Sequence, residues 1–244
     1  MRVVQNDAVI QRNRRIAQMS FFFSLIALLV SFIFGSTIIG DDETAALYFN
    51  CGILPTLFLI ILFAVRMANS WIREPVPWES LQEAVRGLNP NAVLYHFVFP
   101  ARHVLIGPMG VFVLYPMFQD RQVYVNDDRW RMPGGFLGSL LIFMRQEAIG
   151  NPTRDARAEA QLFQRIVDQR FPEIGVEVQP LIVFTSPRAK VELEGQQSVP
   201  VVFATNVGSP TLKEYLKSIK DEERVTLSKE QIEALENETI YQAG

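Results

Sequence analysis

The chain has 244 residues, 49% of them hydrophobic, with a formal net charge of −3, enough for one sizeable folded domain and a membrane segment. One cysteine, Cys51, and two histidines, His96 and His103, exclude an intramolecular disulfide, a cysteine-based metal cluster, and a zinc site without carboxylate help. A pI of about 5.5, with no basic cluster and no phosphate-cradling glycine loop, argues against a duplex-binding face, which usually brings a pI above ~9.

Met1–Gln18 is polar and basic, with Arg2, Arg12, Arg14 and Arg15 against Asp7. An uncharged run follows from Ile16 to Gly40, then Asp41, Asp42 and Glu43, then a second uncharged run from Thr44 to Val65. Each run exceeds the ~20 apolar residues that cross a bilayer as a helix, so spans are predicted over 19–39 and 44–65. Pro55 lies inside the second, where a membrane helix tolerates it. A cleaved signal peptide does not fit, because the first apolar run is too long and no small-residue cleavage site follows it. Arginines flank the outer ends and the connecting loop is acidic, so the positive-inside rule puts both termini in the cytoplasm, with the chain in the plasma membrane. Trp71 is expected at the interface, and Cys51, inside the apolar run, reads as a small buried hydrophobe.

Residues 66–77 form a proline-containing linker ending in Glu74-Pro75-Val76-Pro77. Trp78–Leu88 shows Leu81, Val85 and Leu88 at helical spacing, with Glu79 and Glu83 beside them. Ala92–Phe99 reads as a strand. In Ala101–Met117 two β-prone runs, Val104–Ile106 and Val111–Leu114, flank Gly107-Pro108-Met109-Gly110, a tight turn between paired strands. Pro116 lacks a backbone donor, so the second strand is expected to end or bend there. Gln122–Val125 and Arg129-Trp130 flank the turn residues Asn126, Asp127 and Asp128, a second hairpin whose acids are expected in solvent.

Phe136–Met144 is apolar but too short to span a bilayer. It reads as a buried helix or as an interfacial segment docking Phe136 and Leu140 on the membrane. Asn151-Pro152-Thr153 opens a long helix to about Arg170, followed by strands over Val176–Thr185 and Val199–Ala204 and a helix over Leu212–Ile219. The acidic end, 221–244, carries a capping box of Ser228 and Gln231.

The Gly-Pro-Met-Gly hairpin, the Asn-Pro helix start and the Val-Phe-Thr-Ser-Pro-Arg stretch resemble the nuclease-related (NERD) domain of the PD-(D/E)xK restriction-endonuclease-like superfamily, over about 78–220. The resemblance implies an α/β chain in which a transmembrane helical hairpin precedes a restriction-endonuclease-like mixed sheet flanked by helices. The family places Asp, Glu and Lys around a divalent metal. Here Arg102, Tyr115 and Met117 stand at those positions. A guanidinium repels Mg²⁺, a phenol is a poor ligand at neutral pH, and a thioether cannot replace an ammonium. The expectation is therefore a module without catalytic residues, metal or cofactor, holding a nucleic-acid or protein partner at the cytoplasmic face of the bilayer. Arg102, Tyr115 and Arg121 are its candidate ligand residues, since arginines suit phosphate. A second reading keeps a Mg²⁺-dependent nuclease with relocated carboxylates, Glu79 or Glu83 with Asp120. A third is a structural membrane protein that assembles through 136–144.

Overall fold

The computed structural model describes residues 1–37, 43–133, 149–219 and 225–242. The segment 136–144 lies outside them. The chain divides into two compact units, one built from Met1–Asn6, Pro77–Pro133 and the chain from Ile149 onward, the other from Asp7–Val76.

The second unit is helical. Helix α1 (Asp7–Thr37) packs on α3 (Leu54–Trp71), with a short α2 (Glu43–Tyr48) and a π-helical turn (Phe49–Ile53) between them. Ile10, Ala17, Ser24 and Ser31 are the buried residues of α1. They fall seven apart, the spacing of a left-handed helix pair, and three of the four are small enough for close backbone approach. On α3 the buried residues are Leu57, Leu62 and Ala64. Between the polar outer ends, both helices leave large apolar side chains exposed: Phe32 is 73%, Met19 70% and Leu59 65% exposed. A surface of this kind is not the core helix of a soluble domain, and both helices are long and apolar enough to cross a membrane.

Pro55 explains the break in the second run. Its missing N–H removes one helical hydrogen bond, and the preceding turn widens so that Leu54 N–H reaches Phe49 O. Thr56 Oγ1 then donates to Gly52 O at 2.8 Å. Cys51, expected to be buried, is exposed, because it lies in this widened turn, in which no residue is buried.

The first unit is a six-stranded mixed sheet in the order β1-β2-β3-β4-β7-β9, made of β1 (Arg2–Gln5), β2 (Val93–His96), β3 (His103–Gly107), β4 (Gly110–Met117), β7 (Val178–Phe184) and β9 (Val201–Phe203). The expected hairpin is present, with Val104 opposite Val113 and Gly107 opposite Gly110. Helices cover both faces. On one, α5 (Pro152–Arg170) and α7 (Lys229–Gln242) bring Phe163, Val167, Ile232 and Leu235 onto Val104, Ile106 and Val113. On the other, α4 (Pro77–Ala84) and α6 (Leu212–Ser218) bring Leu81, Leu212 and Leu216 onto Leu94, Leu105 and Phe112. Each such buried side chain contributes about 1.5–3 kcal/mol. A smaller sheet in the order β6-β5-β8, from β5 (Gln122–Asn126), β6 (Arg129–Arg131) and β8 (Lys190–Glu194), completes the unit.

Four sequence expectations change. Arg2–Gln5 is not part of a uniform polar segment but a strand parallel to β2, so Asp7–Val76 lies within the connection between two neighbouring strands of one sheet. Helix α4 ends at Ala84, and the chain to Leu88 continues as turns through Gly87 at φ +71°. Strand β4 runs through Pro116, which pairs opposite Val183. Met117 O accepts from Thr185 N at 2.9 Å, so the peptide groups of Met117 face β7 and those of Pro116 face the other way. The missing donor thus points past the end of β3, where no ladder bond is lost. Finally, Asp128 is not simply solvated. It accepts from Ser198 N at 3.1 Å and from Ser198 Oγ, tying the β5–β6 turn to the loop before β9.

Strand β1 is fastened from the far end of the chain. Glu236 of α7 accepts from Arg2 Nη2 and, at 2.5 Å, from the Tyr95 hydroxyl. Burial pushes the Tyr95 phenol up, the Glu236 hydrogen bond and charge add to this, and Arg2 opposes it. Substituting Glu236→Ala leaves both donors without their acceptor and is expected to cost about 1.5–3 kcal/mol. Thermal or chemical unfolding of the full chain measures it, and a loss below the experimental error would contradict the clasp.

Candidate functional site

The chain from Ala101 to Met117 puts three positions on the α5 face of the sheet. Side chains alternate along β4, so Tyr115 shares a face with Val111 and Val113, which pack under α5. Extending the β3–β4 register by two residues sets Arg102 opposite Tyr115. Met117 is buried in the cluster beneath the small sheet, with Tyr115 packed against its margin.

Helix α5 begins as the Asn-Pro signal predicts. Asn151 Oδ1 accepts from Arg154 N at 3.0 Å and Pro152 occupies the first turn, where its missing N–H costs nothing. Trp130 Nε1 donates to Thr153 Oγ1 at 2.8 Å, locking the helix start to β6. The helix then presents Ala156, Ala160, Phe163 and Val167 to the core, and Glu159 lies within that stripe.

Glu159 is the residue that sequence reasoning missed. Its Oε1 lies 3.4 Å from Arg102 Nε, and its side chain is 13% exposed against 66% for Arg102. Its other oxygen, Oε2, is buried and has no hydrogen-bond partner among the described residues. Burial pushes the Glu159 carboxyl up. The Arg102 guanidinium and backbone N–H oppose this, and the neighbouring Asp155 adds to it. The available signal was an acid at helical spacing from Ala156 and Phe163, where the stripe is otherwise apolar. At position 102 the chain therefore places a cation compensated by an anion from the helix above.

The remaining sequence candidates lie apart from this pair. Glu79 is exposed on α4, on the opposite face of the sheet, and Glu83 is exposed and pairs with Arg86 at 3.3 Å. Asp120 meets Arg188 at 3.3 Å in the segment between β4 and β5, and Arg121, half-buried, immediately precedes β5. Among the described residues, no three His, Cys, Asp or Glu side chains are gathered as a metal would need. Trp71 ends α3 in the helical unit, while Phe136 and Leu140 lie outside the described residues. A groove of about 660 Å³ opens elsewhere, between the Gly-Pro turn and the start of α7, lined by Pro108, Val93, Leu227 and Ile232 with Arg2 and Lys229.

On the α4 face the two histidines meet. His96 and His103 are cross-strand neighbours, fully or nearly fully buried, with Nδ1···Nδ1 at 2.8 Å. One ring donates and the other accepts, so the accepting ring is neutral and the two cannot both be protonated. Phe97, at φ +58°, turns its ring onto His103 and against Trp78. Burial pushes His96 down to about 4 and holds His103 well below its usual value, with His96 and Arg102 adding to the latter. Comparison of the chain with protein-family models, with curated proteins and with solved structures finds no match.

Two pH signatures of opposite sign follow. The folded state holds the histidines neutral, so their contribution is complete above the ordinary histidine range near 6.5 and is lost as pH falls toward about 4. Unfolding midpoints between pH 8 and 4 are expected to fall in the wild type and to fall less in the His96→Leu/His103→Leu double variant, which removes both titrating groups without leaving an orphan. For Glu159 the folded carboxyl is raised, so the wild type loses stability as pH rises through the ordinary carboxylate range. The stability of Glu159→Gln relative to wild type is expected to grow over that window, and an unchanged difference would show that the carboxyl is not perturbed.

Proposed function

We propose that this chain is a membrane-anchored NERD-like module that binds a partner, nucleic acid or protein, at the cytoplasmic face without cutting it. The observation that carries the reading is the Arg102–Glu159 ion pair in the place of a metal-binding carboxylate. A guanidinium at this position repels a divalent cation, and Glu159, although an acid, is engaged with it. The mixed sheet with helices on both faces agrees with the restriction-endonuclease-like architecture that the resemblance implies, and so does the Gly-Pro-Met-Gly hairpin.

The membrane part of the reading rests on two apolar helices with exposed apolar surfaces. The chain leaves the sheet unit at Asn6 and returns to it at Pro77. Connectivity therefore favours both outer ends of the helical hairpin lying on one side of the bilayer, and the arginines at those ends favour the cytoplasm.

The test is cleavage of single- and double-stranded DNA by the full chain in detergent or vesicles, over a range of Mg²⁺ and Mn²⁺. No cleavage and no metal-dependent rise in melting temperature are expected. Metal-dependent cleavage abolished by Glu79→Ala, Glu83→Ala or Asp120→Ala would replace this reading with a nuclease whose carboxylates have moved.

A further inference from the structure

Four of the five arginines within Asp7–Val76 lie at one depth. Arg12, Arg14 and Arg15 are exposed on the first turns of α1, and Arg66 is exposed near the end of α3. The vertical register of the two helices is fixed at the other end, where Phe34 and Phe49 stack with ring centroids 6.4 Å apart. The ring of Phe49 also lies against Gly35, where a Cβ would meet it at 3.2 Å. At about 1.5 Å per residue, Arg15 to Arg12 lie about 28–33 Å along α1 from Phe34, and Arg66 lies about 25 Å along α3 from Phe49. The four guanidiniums thus occupy a layer about 8 Å deep, one hydrocarbon thickness of about 30 Å from the aromatic pair. Ala17 and Ala64, fully buried beside this layer, let the two helices approach closely and bring both sets of arginines together.

We propose that Arg12, Arg14, Arg15 and Arg66 form a two-helix arginine layer that binds the phosphates of anionic phospholipids in the leaflet at the outer ends of the hairpin. The proposal rests on the membrane-anchor reading. Its chemistry is charge complementarity at fixed depth: guanidiniums offer paired donors to phosphate oxygens and are only weakly hydrated. Four of them held at headgroup level on a packed helix pair recruit negatively charged lipid without a soluble pocket. A zwitterionic headgroup offers the same phosphate with its charge already cancelled, so the layer discriminates by net charge.

The experiment places the full chain in phosphatidylcholine vesicles with trace spin-labelled phosphatidylglycerol or spin-labelled phosphatidylcholine, and reads the motionally restricted lipid by electron paramagnetic resonance. The expected result is an association constant for phosphatidylglycerol about three-fold or more above that for phosphatidylcholine. The ratio should shrink at high salt and fall to about 1 when Arg12, Arg14, Arg15 and Arg66 are all replaced by Gln. Replacement of the same four by Lys should retain most of the preference, and Arg129→Gln with Arg131→Gln should retain all of it. A wild-type ratio near 1, or a preference that survives the four Gln substitutions, overturns the proposal. Resistance of the wild type to carbonate extraction separates the two readings. A resistant chain with no lipid preference loses only the arginine layer, and an extractable one loses the anchor as well.

Discussion

The pairing of β1 with β2 is the constraint on which the two-unit architecture depends. These are adjacent parallel strands of one sheet, yet the whole helical hairpin lies between them in the chain. Closing so long a connection is entropically costly, although the cost grows slowly with length. The strand is short, so its own ladder bonds, including Arg2 N to Ala92 O at 2.9 Å and Asn6 N to His96 O at 3.0 Å, need reinforcement. Glu236 supplies it from the other end of the sequence, through Arg2 and the buried Tyr95 hydroxyl. The N-terminal strand and the C-terminal helix therefore stabilise each other across the sheet.

The same sheet separates two polar pairs of different character. On the α5 face, Arg102 and Glu159 meet with one carboxylate oxygen left unpartnered. The acid of this pair is mostly buried and the guanidinium mostly exposed, so the pair is weak support for stability: desolvation of the acid and solvent screening of the cation offset much of the attraction. Its effect on chemistry is stronger, since it removes both the negative charge a divalent ion needs and the uncompensated positive charge that would draw phosphate strongly. On the α4 face, His96 and His103 share one hydrogen bond in an aromatic setting of Phe97 and Trp78. Protonating either ring would put a charge into that setting, which is why the fold holds both neutral.

What could be read from the sequence divides along physical lines. Glycine and proline chemistry predicts the Gly107–Gly110 turn and the Asn151-Pro152 helix start, because these are local preferences that the fold leaves intact. The Ser228–Gln231 capping box is realised too, with Ser228 N donating to Gln231 Oε1 at 2.7 Å. Elements decided by distant partners escape such reading. Arg2–Gln5 is too short to announce itself as a strand and becomes one only because β2 is available. The expectation at Pro116 failed because a donor's importance depends on which edge it faces, and that is set by where β3 begins. Cys51 is exposed in the widened turn before Pro55, and hydropathy alone does not show which part of an apolar run is covered. The seam of Ile10, Ala17, Ser24 and Ser31 has a seven-residue spacing, but it crosses from the basic segment into the apolar run, where surrounding apolar residues hide it. Glu159 was visible in the same sense, as one acid inside an apolar stripe, and only its contact with Arg102 gives it meaning.

The covalent connections between the two units are short on both sides. A single residue, Asn6, separates β1 from α1, and Ile72–Val76 separate α3 from α4. Fully extended chain spans at most about 3.3–3.6 Å per residue, so neither connection is a long flexible linker. The strand side is the stricter, because β1 cannot lengthen the connection without giving up its ladder to β2 and the clasp to Glu236. The interactions that fasten β1 to the sheet therefore also hold this connection to a single residue.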